Sequence, residues 1–263
     1  MLPASDPLAE FRTVAPLGEH SLFAELLASV RFETVGKGRQ GAVLSQSDAR
    51  DGTPLVRTTT RYSTPPQHFG LLHERLARLI QERASLSIAF NNALIECYTN
   101  AYAAMGAHSD QTQDLAEDSI FSCYERPEAA NPPRKLLLES KVASGGQFEL
   151  SLAQNSVVVF SVATNRRFKH RIVLDRAARS QENRWLGITF RTAKTFLRYR
   201  EGCTYFADGT RLTQANEEQK RELYALRRRE NDEVDFTYPQ LTYTLSDSDL
   251  MPPETAQPPT QAG

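Results

Sequence analysis

Between residues 93 and 192 the chain runs through seven short segments rich in β-branched and aromatic residues, and this succession limits the fold more than any other feature of it. The segments are 93–98 (ALIECY), 119–124 (SIFSCY), 134–140 (RKLLLES), 147–152 (QFELSL), 156–162 (SVVVFSV), 168–174 (FKHRIVL) and 184–192 (RWLGITFRT). Asn131-Pro132-Pro133, Gly145-Gly146, Gln154-Asn155 and Gln181-Glu182-Asn183 fall between them. Branched and aromatic side chains favour extended backbone, while Gly, Pro and Asn adopt the dihedrals that turns demand. Short strands at this spacing make a sandwich or barrel. The expected fold is α+β but mainly β: a double-stranded β-helix (jelly roll) with N-terminal and C-terminal helices packed outside.

The flanks read differently. Residues 20–30 (HSLFAELLASV) put Leu22, Phe23, Leu26 and Leu27 at helical spacing, with a turn following at Gly36-Lys37-Gly38. A strand is expected at 55–62 (LVRTTTRY), stopped by Pro65-Pro66, and then an amphipathic helix from Phe69 to Arg83. A further helix at 215–229 precedes a strand-like YPQLTYTL run, and the proline-rich stretch from Met251 has little to bury. The expected division is a helical and lid region at 1–92, a jelly-roll core at 93–194, a C-terminal helix and extension at 195–250 and a disordered tail at 251–263, all one folded domain.

With a formal net charge of −1, the chain does not bind nucleic acid by global attraction, although a local basic groove stays open to it. Cys97, Cys123 and Cys203 are odd in number and form no CxxC pair, so they are expected as reduced thiols in a cytoplasmic protein. The start lacks a basic region followed by an apolar run, and no segment is apolar over a bilayer's length. The expectation is no membrane partner, and a monomer.

Chemistry concentrates at His108-Ser109-Asp110, with His170 and Arg191 downstream. On extended backbone, residues separated by one point to the same face, so His108 and Asp110 can reach one metal ion together. His170 would complete a two-His-one-carboxylate set, which leaves iron(II) with open positions. Taken alone, His170 between apolar neighbours also fits a packed core histidine. In 184–192, Trp185, Thr189 and Arg191 alternate onto one face, opposite Leu186, Ile188 and Phe190. An inward arginine needs a carboxylate, supplied either by a bound dicarboxylate or by a protein Asp or Glu.

These residues resemble the AlkB-like branch of the iron(II)/2-oxoglutarate-dependent dioxygenases. The resemblance runs from about Pro54 to Lys194 and is clearest in LIECYTNAYAAMGAHSD, SVVVFSVATNRRFKHRI and NRWLGITFR. It implies Fe(II) held by His108, Asp110 and His170, with 2-oxoglutarate and O2 as cosubstrates. It implies further that Arg191 and Tyr98 contact 2-oxoglutarate. Glu96 stands where the family often has Asn, and is expected to face elsewhere or to pair with an arginine. The family's closing motif has two arginines six apart; Trp185 occupies the first position here, and Arg184, one residue earlier, is the candidate second contact if a bulge turns it inward.

The resemblance also implies hydroxylation or oxidative demethylation of an alkylated nucleobase in DNA or RNA. Arg57, Arg61 and Arg167 are the candidate phosphate contacts and Tyr62 the candidate stacking residue. Arg227-Arg228-Arg229 is read as a helix C-terminus offset by the acidic residues after it, rather than as a nucleic-acid patch. Two alternatives stay open: a hydroxylase of a protein side chain or small metabolite, and a non-catalytic jelly-roll binding module.

Overall fold

The computed structural model describes residues 7–14, 22–102, 106–127, 134–142, 145–152, 157–174 and 184–254. In chain order the elements are β1 (Arg12–Val14), α1 (Phe23–Ala28), β2 (Glu33–Gly36), β3 (Arg39–Ser45), β4 (Thr53–Leu55), β5 (Gln67–His68), α2 (Leu71–Ala84), β6 (Asn92–Tyr98), β7 (Ile120–Pro127), β8 (Arg134–Ser140), β9 (Gln147–Ser151) and β10 (Val157–Ser161). There follow α3 (Val162–Arg167), β11 (Phe168–Leu174), β12 (Trp185–Arg191), β13 (Thr195–Arg200), β14 (Cys203–Phe206), β15 (Arg211–Gln214), α4 (Glu217–Asp232) and β16 (Tyr243–Thr244).

The protein is mainly β. A large sheet runs β1-β10-β7-β12-β6-β3-β2, with β5 added beside β3. Its two faces bury alternate residues, as the pleat requires. Ile95, Val157, Val159, Leu186, Ile188 and Phe190 point to one side, where they meet Phe23 and Leu26 of α1 and Leu76 and Ile80 of α2. Val158 and Phe160 of β10 point to the other side and pack with Leu136, Leu138 and Phe168 from a small sheet, β11-β8-β9. Two sheets facing across an apolar layer, with helices outside, are consistent with a jelly-roll core.

The structure departs from the sequence expectation in three places. Residues 1–92, expected as helices and a lid, also supply β1, β2, β3 and β5 to the large sheet. The expected strand at 55–62 stops at Leu55, because the Arg57 backbone N–H donates to the Asp114 carboxylate at 2.9 Å instead of to a neighbouring strand. The segment expected as a C-terminal helix and extension holds a third sheet, β16-β15-β14-β13-β4, as well as α4. Glu201 and Gly202 turn the β13–β14 hairpin with φ of 51° and 72°, the left-handed dihedrals that a two-residue hairpin turn needs.

Helix α4 closes over the third sheet through Leu223, packed with Leu241, Tyr243 and Leu245. Cys97 is buried, and neither it nor Cys203 is in a disulfide; the Cys123 side chain lies outside what is described. Most of the proline-rich tail lies outside the described residues too, but Glu254 bridges to Gln67. No helix among the described residues is long and apolar enough to cross a membrane.

Candidate metal centre and its pocket

One His/Asp cluster among the described residues could hold a metal ion: His108, Asp110 and His170, whose ligand atoms all lie within 4.8 Å of one another. His108 Nε2 and His170 Nε2 stand 3.7 Å and 3.9 Å from Asp110 Oδ1. Residues sixty apart meet because the chain before Asp110 runs antiparallel to β11. His108 N–H donates to the His170 carbonyl at 3.0 Å, and His170 N–H donates back at 2.7 Å.

The 108–110 segment is tied down on every side. Asn165 of α3 accepts from Asp110 N–H and donates to the Asp110 carbonyl, both at 2.8 Å. Ser109 N–H donates to Asn231 at 2.9 Å, and Arg227 donates to the Ser109 carbonyl at 2.8 Å, so α4 braces the segment from outside. Glu230 accepts from both Thr112 N–H and Thr112 Oγ1. The sequence carried no signal for this bracing, since α4 lies more than a hundred residues away in the chain.

Electrostatics prepare the three groups for a cation. His108 Nδ1 lies 2.9 Å from the Gly106 carbonyl; an N–H there fixes the tautomer and leaves Nε2 as the lone pair. Burial, reinforced by the nearby His108, lowers the His170 pKa to about 4, so its imidazole is neutral at ordinary pH. Burial also works against the Asp110 carboxylate, but Arg191, His170, His108 and Arg227 outweigh it and hold the pKa below the usual carboxylate value.

Beside the cluster opens a pocket walled by Leu136, Val158, Phe160, Ile172 and Trp185, with Arg39, Glu96, Tyr98, Arg191 and Arg227 among its polar groups. Arg191 is buried and sits 3.8 Å from Asp110 Oδ2, and its Nε has no hydrogen-bond partner among the described residues. An arginine N–H buried without an acceptor is costly, and a carboxylate entering the pocket would satisfy it.

At another part of the pocket Glu96 pairs with Arg39, one of the two outcomes expected of it, with Nε at 2.8 Å from Oε1. Tyr98 and Tyr62 donate to the same carboxylate, at 2.5 Å and 3.0 Å. Glycines stand opposite Glu96 on both neighbouring strands, Gly41 on β3 and Gly187 on β12. A Cβ at Gly41 would lie 2.7 Å from the Tyr62 hydroxyl, and one at Gly187 would lie 3.2 Å from the Trp185 ring, so the glycines make room for both aromatics. Arg39 also lies over the Tyr98 and Tyr102 rings. Nothing in its sequence context marked Arg39; it reaches the pocket because β3 pairs with β6 in a register that sets Arg39 against Tyr98.

Several expected residues lie elsewhere. Arg184 is on the helix side, 5.3 Å over the Phe23 ring; β12 keeps an unbroken register from Trp185, so no bulge turns Arg184 inward. Arg57 is buried, forked onto Asp114 and two carbonyls, and cannot meet a phosphate. Tyr62 is buried with its hydroxyl on Glu96, so its ring is not offered for stacking. Arg167 is held by Glu10 and lies over Phe168. Arg61 is exposed, 3.5 Å from the Tyr224 hydroxyl of α4.

The family model of the 2OG-Fe(II) oxygenase superfamily matches residues 19–191. No curated protein matches the chain. Similar solved structures include OsALKBH1, with 13% identity over 70% of this chain and 96% of that one and a TM-score of 0.43. An oxidoreductase of the 2OG-Fe(II) oxygenase family from Burkholderia pseudomallei has 14% identity over 64% of this chain and 76% of its own, with a TM-score of 0.41. A prolyl-4-hydroxylase from Pseudomonas putida has 15% identity over 71% and 96%, with a TM-score of 0.39.

Proposed function

This chain belongs to the 2OG-Fe(II) oxygenase superfamily, and we propose that it hydroxylates or oxidatively demethylates an alkylated nucleobase in DNA or RNA, as an AlkB-like member. It is an oxidoreductase, a dioxygenase whose cofactor is Fe(II) and whose cosubstrates are 2-oxoglutarate and O2. In this reading the two facing sheets are the halves of a double-stranded β-helix, and the iron is held by His108, Asp110 and His170. The observation that carries the reading is the placement of this cluster beside a buried arginine whose Nε has no partner.

The residues fit both groups. Two imidazoles and an ionised carboxylate are a donor set suited to Fe(II). Arg191 offers its buried guanidinium to a carboxylate of 2-oxoglutarate, and Arg39 already neutralises Glu96. Arg39 is balanced by Glu96 and Arg227 by Glu230, so Arg191, 3.8 Å from Asp110, is the pocket arginine that meets an incoming carboxylate.

When bound, iron and 2-oxoglutarate supply oxidation of a C–H bond coupled to decarboxylation of the 2-oxo acid. The protein supplies the rest. His108 and His170 keep their lone pairs available, and Arg191 orients the cosubstrate. Leu136, Val158, Phe160, Ile172 and Trp185 form an apolar wall that excludes water from the reacting carbon. Asn165, Arg227 and Asn231 hold the ligand segment so that Asp110 does not swing away. Hydroxylation of an N-methyl carbon gives a hemiaminal, which collapses to formaldehyde and the free amine.

The test has two stages. Anaerobic addition of Fe(II) and then 2-oxoglutarate gives a visible charge-transfer band, which is lost in His108→Ala. With O2, N-methylated oligonucleotides then stimulate succinate and formaldehyde release. A band without stimulation by any methylated DNA or RNA would overturn the substrate reading, and a one-oxygen mass gain on a protein or metabolite would replace it with the hydroxylase alternative.

A further inference from the structure

We propose that the exposed face of α4 is the docking surface for the substrate strand, and that it takes the phosphates of a single-stranded nucleic acid segment whose target base enters the pocket beside His108. This rests on the nucleobase reading above and assigns a surface to it.

The pocket opens into a wider vestibule, and Arg39, Thr59, Thr60, His108 and Arg227 line both, so the two spaces are contiguous. Helix α4 forms one wall of the vestibule. Arg221, Tyr224, Arg228 and Asn231 recur at the spacing of three and four that keeps residues on one helix face. Tyr102 and Gly106 help to line it as well, and its described lining contains no Asp or Glu.

The arginines of this space divide by partner. Arg39 and Arg227 are held inside the protein by Glu96 and Glu230. Arg221 and Arg228 are exposed, and neither forms an ion pair among the described residues. Arg61 adds a third exposed cation beside Tyr224. Glu217, one turn before Arg221 on the same stripe, is hydrogen-bonded by Lys220 at 2.6 Å and also feels the charges of Arg221 and Arg61 without pairing with either.

The vestibule is thus cationic and carries phenol rings, whereas the inner pocket is apolar-walled. A single nucleotide within a strand matches that division: its flat base suits the inner pocket, its flanking phosphates suit the outer arginines, and a neighbouring base can lie on Tyr224 or Tyr102. Binding sequence-tolerantly through phosphates and ring faces needs no net positive charge on the whole protein. This is how a chain of net charge −1 can hold a polyanion.

The experiment measures binding of a fluorescent unmethylated single-stranded oligonucleotide by anisotropy, over a range of salt, to the intact protein. Arg221→Glu with Arg228→Glu is expected to weaken binding roughly ten-fold or more, and to flatten the slope of log K against log salt by ~1.4, about 0.7 for each lost contact. Arg221→Gln with Arg228→Gln, a milder change on the same exposed face, gives an intermediate loss. The control, Arg200→Glu with Arg211→Glu, alters net charge equally on exposed residues of the third sheet and leaves binding unchanged.

Equal weakening by both charge-reversed pairs would reduce the effect to global charge and overturn the α4 assignment. So would binding by the wild type that neither pair alters; in both cases the nucleobase reading survives. Absence of oligonucleotide binding even at low salt overturns both readings. Tighter binding of a phosphopeptide, lost in the same α4 pair, would keep the anion surface but overturn the nucleic acid as its occupant.

Discussion

Replacing Arg57 by Ala separates two roles for that residue, a phosphate contact and a structural fork. In the structure its Nε and Nη2 donate to Asp114 at 2.9 Å and 2.8 Å, and its Nη1 donates to the Leu241 and Tyr243 carbonyls at 2.8 Å and 2.9 Å. The Asp114 side chain is 1% exposed. Burial pushes against its ionisation, but the charge and hydrogen bonds of Arg57 hold its pKa below the usual value. Removing Arg57 strands that carboxylate, and breaking a buried pair from one side costs ~3–5 kcal/mol. The two carbonyls lose donors as well. Taking ~4 kcal/mol, and an unfolding entropy of ~2.1 cal/mol/K per residue over the 263 residues, Arg57→Ala lowers Tm by ~7 °C. Arg57→Met with Asp114→Leu, which removes both charges, recovers most of the loss. Calorimetry of the three proteins measures this. A Tm shift of less than ~2 °C together with a collapse of oligonucleotide binding would refute the argument and restore Arg57 as a phosphate contact.

Two further outcomes follow from the pocket and from α2. Glu96→Gln removes a negative charge from a pocket that takes a dianion and weakens the hold on the Tyr98 hydroxyl and Arg39. The bare repulsion at ~6 Å and an effective dielectric of ~20 is ~3 kcal/mol; Arg39 already shields much of it, so KM for 2-oxoglutarate should fall roughly ten-fold. A rise in KM with iron binding intact would mean that Glu96 acts as a brace for Arg39 instead. His73 is buried, with Nδ1 accepting from Gly70 N–H at 3.0 Å and Nε2 at 2.9 Å from Ser29 Oγ, and burial lowers its pKa to about 4. Its unfolded value is near 6.5, so the unfolded chain binds the proton first. The stability of the neutral ring is full above pH ~6.5 and falls by ~3 kcal/mol as pH drops towards 4. Urea unfolding across that range should show the slope, and His73→Gln should remove this part of it; an unchanged slope in the variant would rule out His73 as its source.

What the sequence alone determined is whatever depends on periodicity and residue chemistry. Alternation along β12 put Arg191 on the face opposite Leu186, Ile188 and Phe190, because successive strand side chains must point to opposite sides. β8 and β11 occupy the expected 134–140 and 168–174, and His108 and Asp110, separated by one residue, lie with their ligand atoms within 4.8 Å of each other. Tertiary structure decided what depends on which distant segments become neighbours. Arg39 entered the pocket through the pairing of β3 with β6, and Arg57 left the surface because Asp114, Leu241 and Tyr243 converge on it. The triplet Arg227-Arg228-Arg229 shows why local charge cannot settle such roles. One helical turn sends Arg227 inward to Ser109 and Glu230, Arg228 to the vestibule, and Arg229 to an exposed pair with Glu233. Three identical side chains acquire three different environments, because a helix rotates each residue by about 100° while its surroundings come from segments far away in sequence.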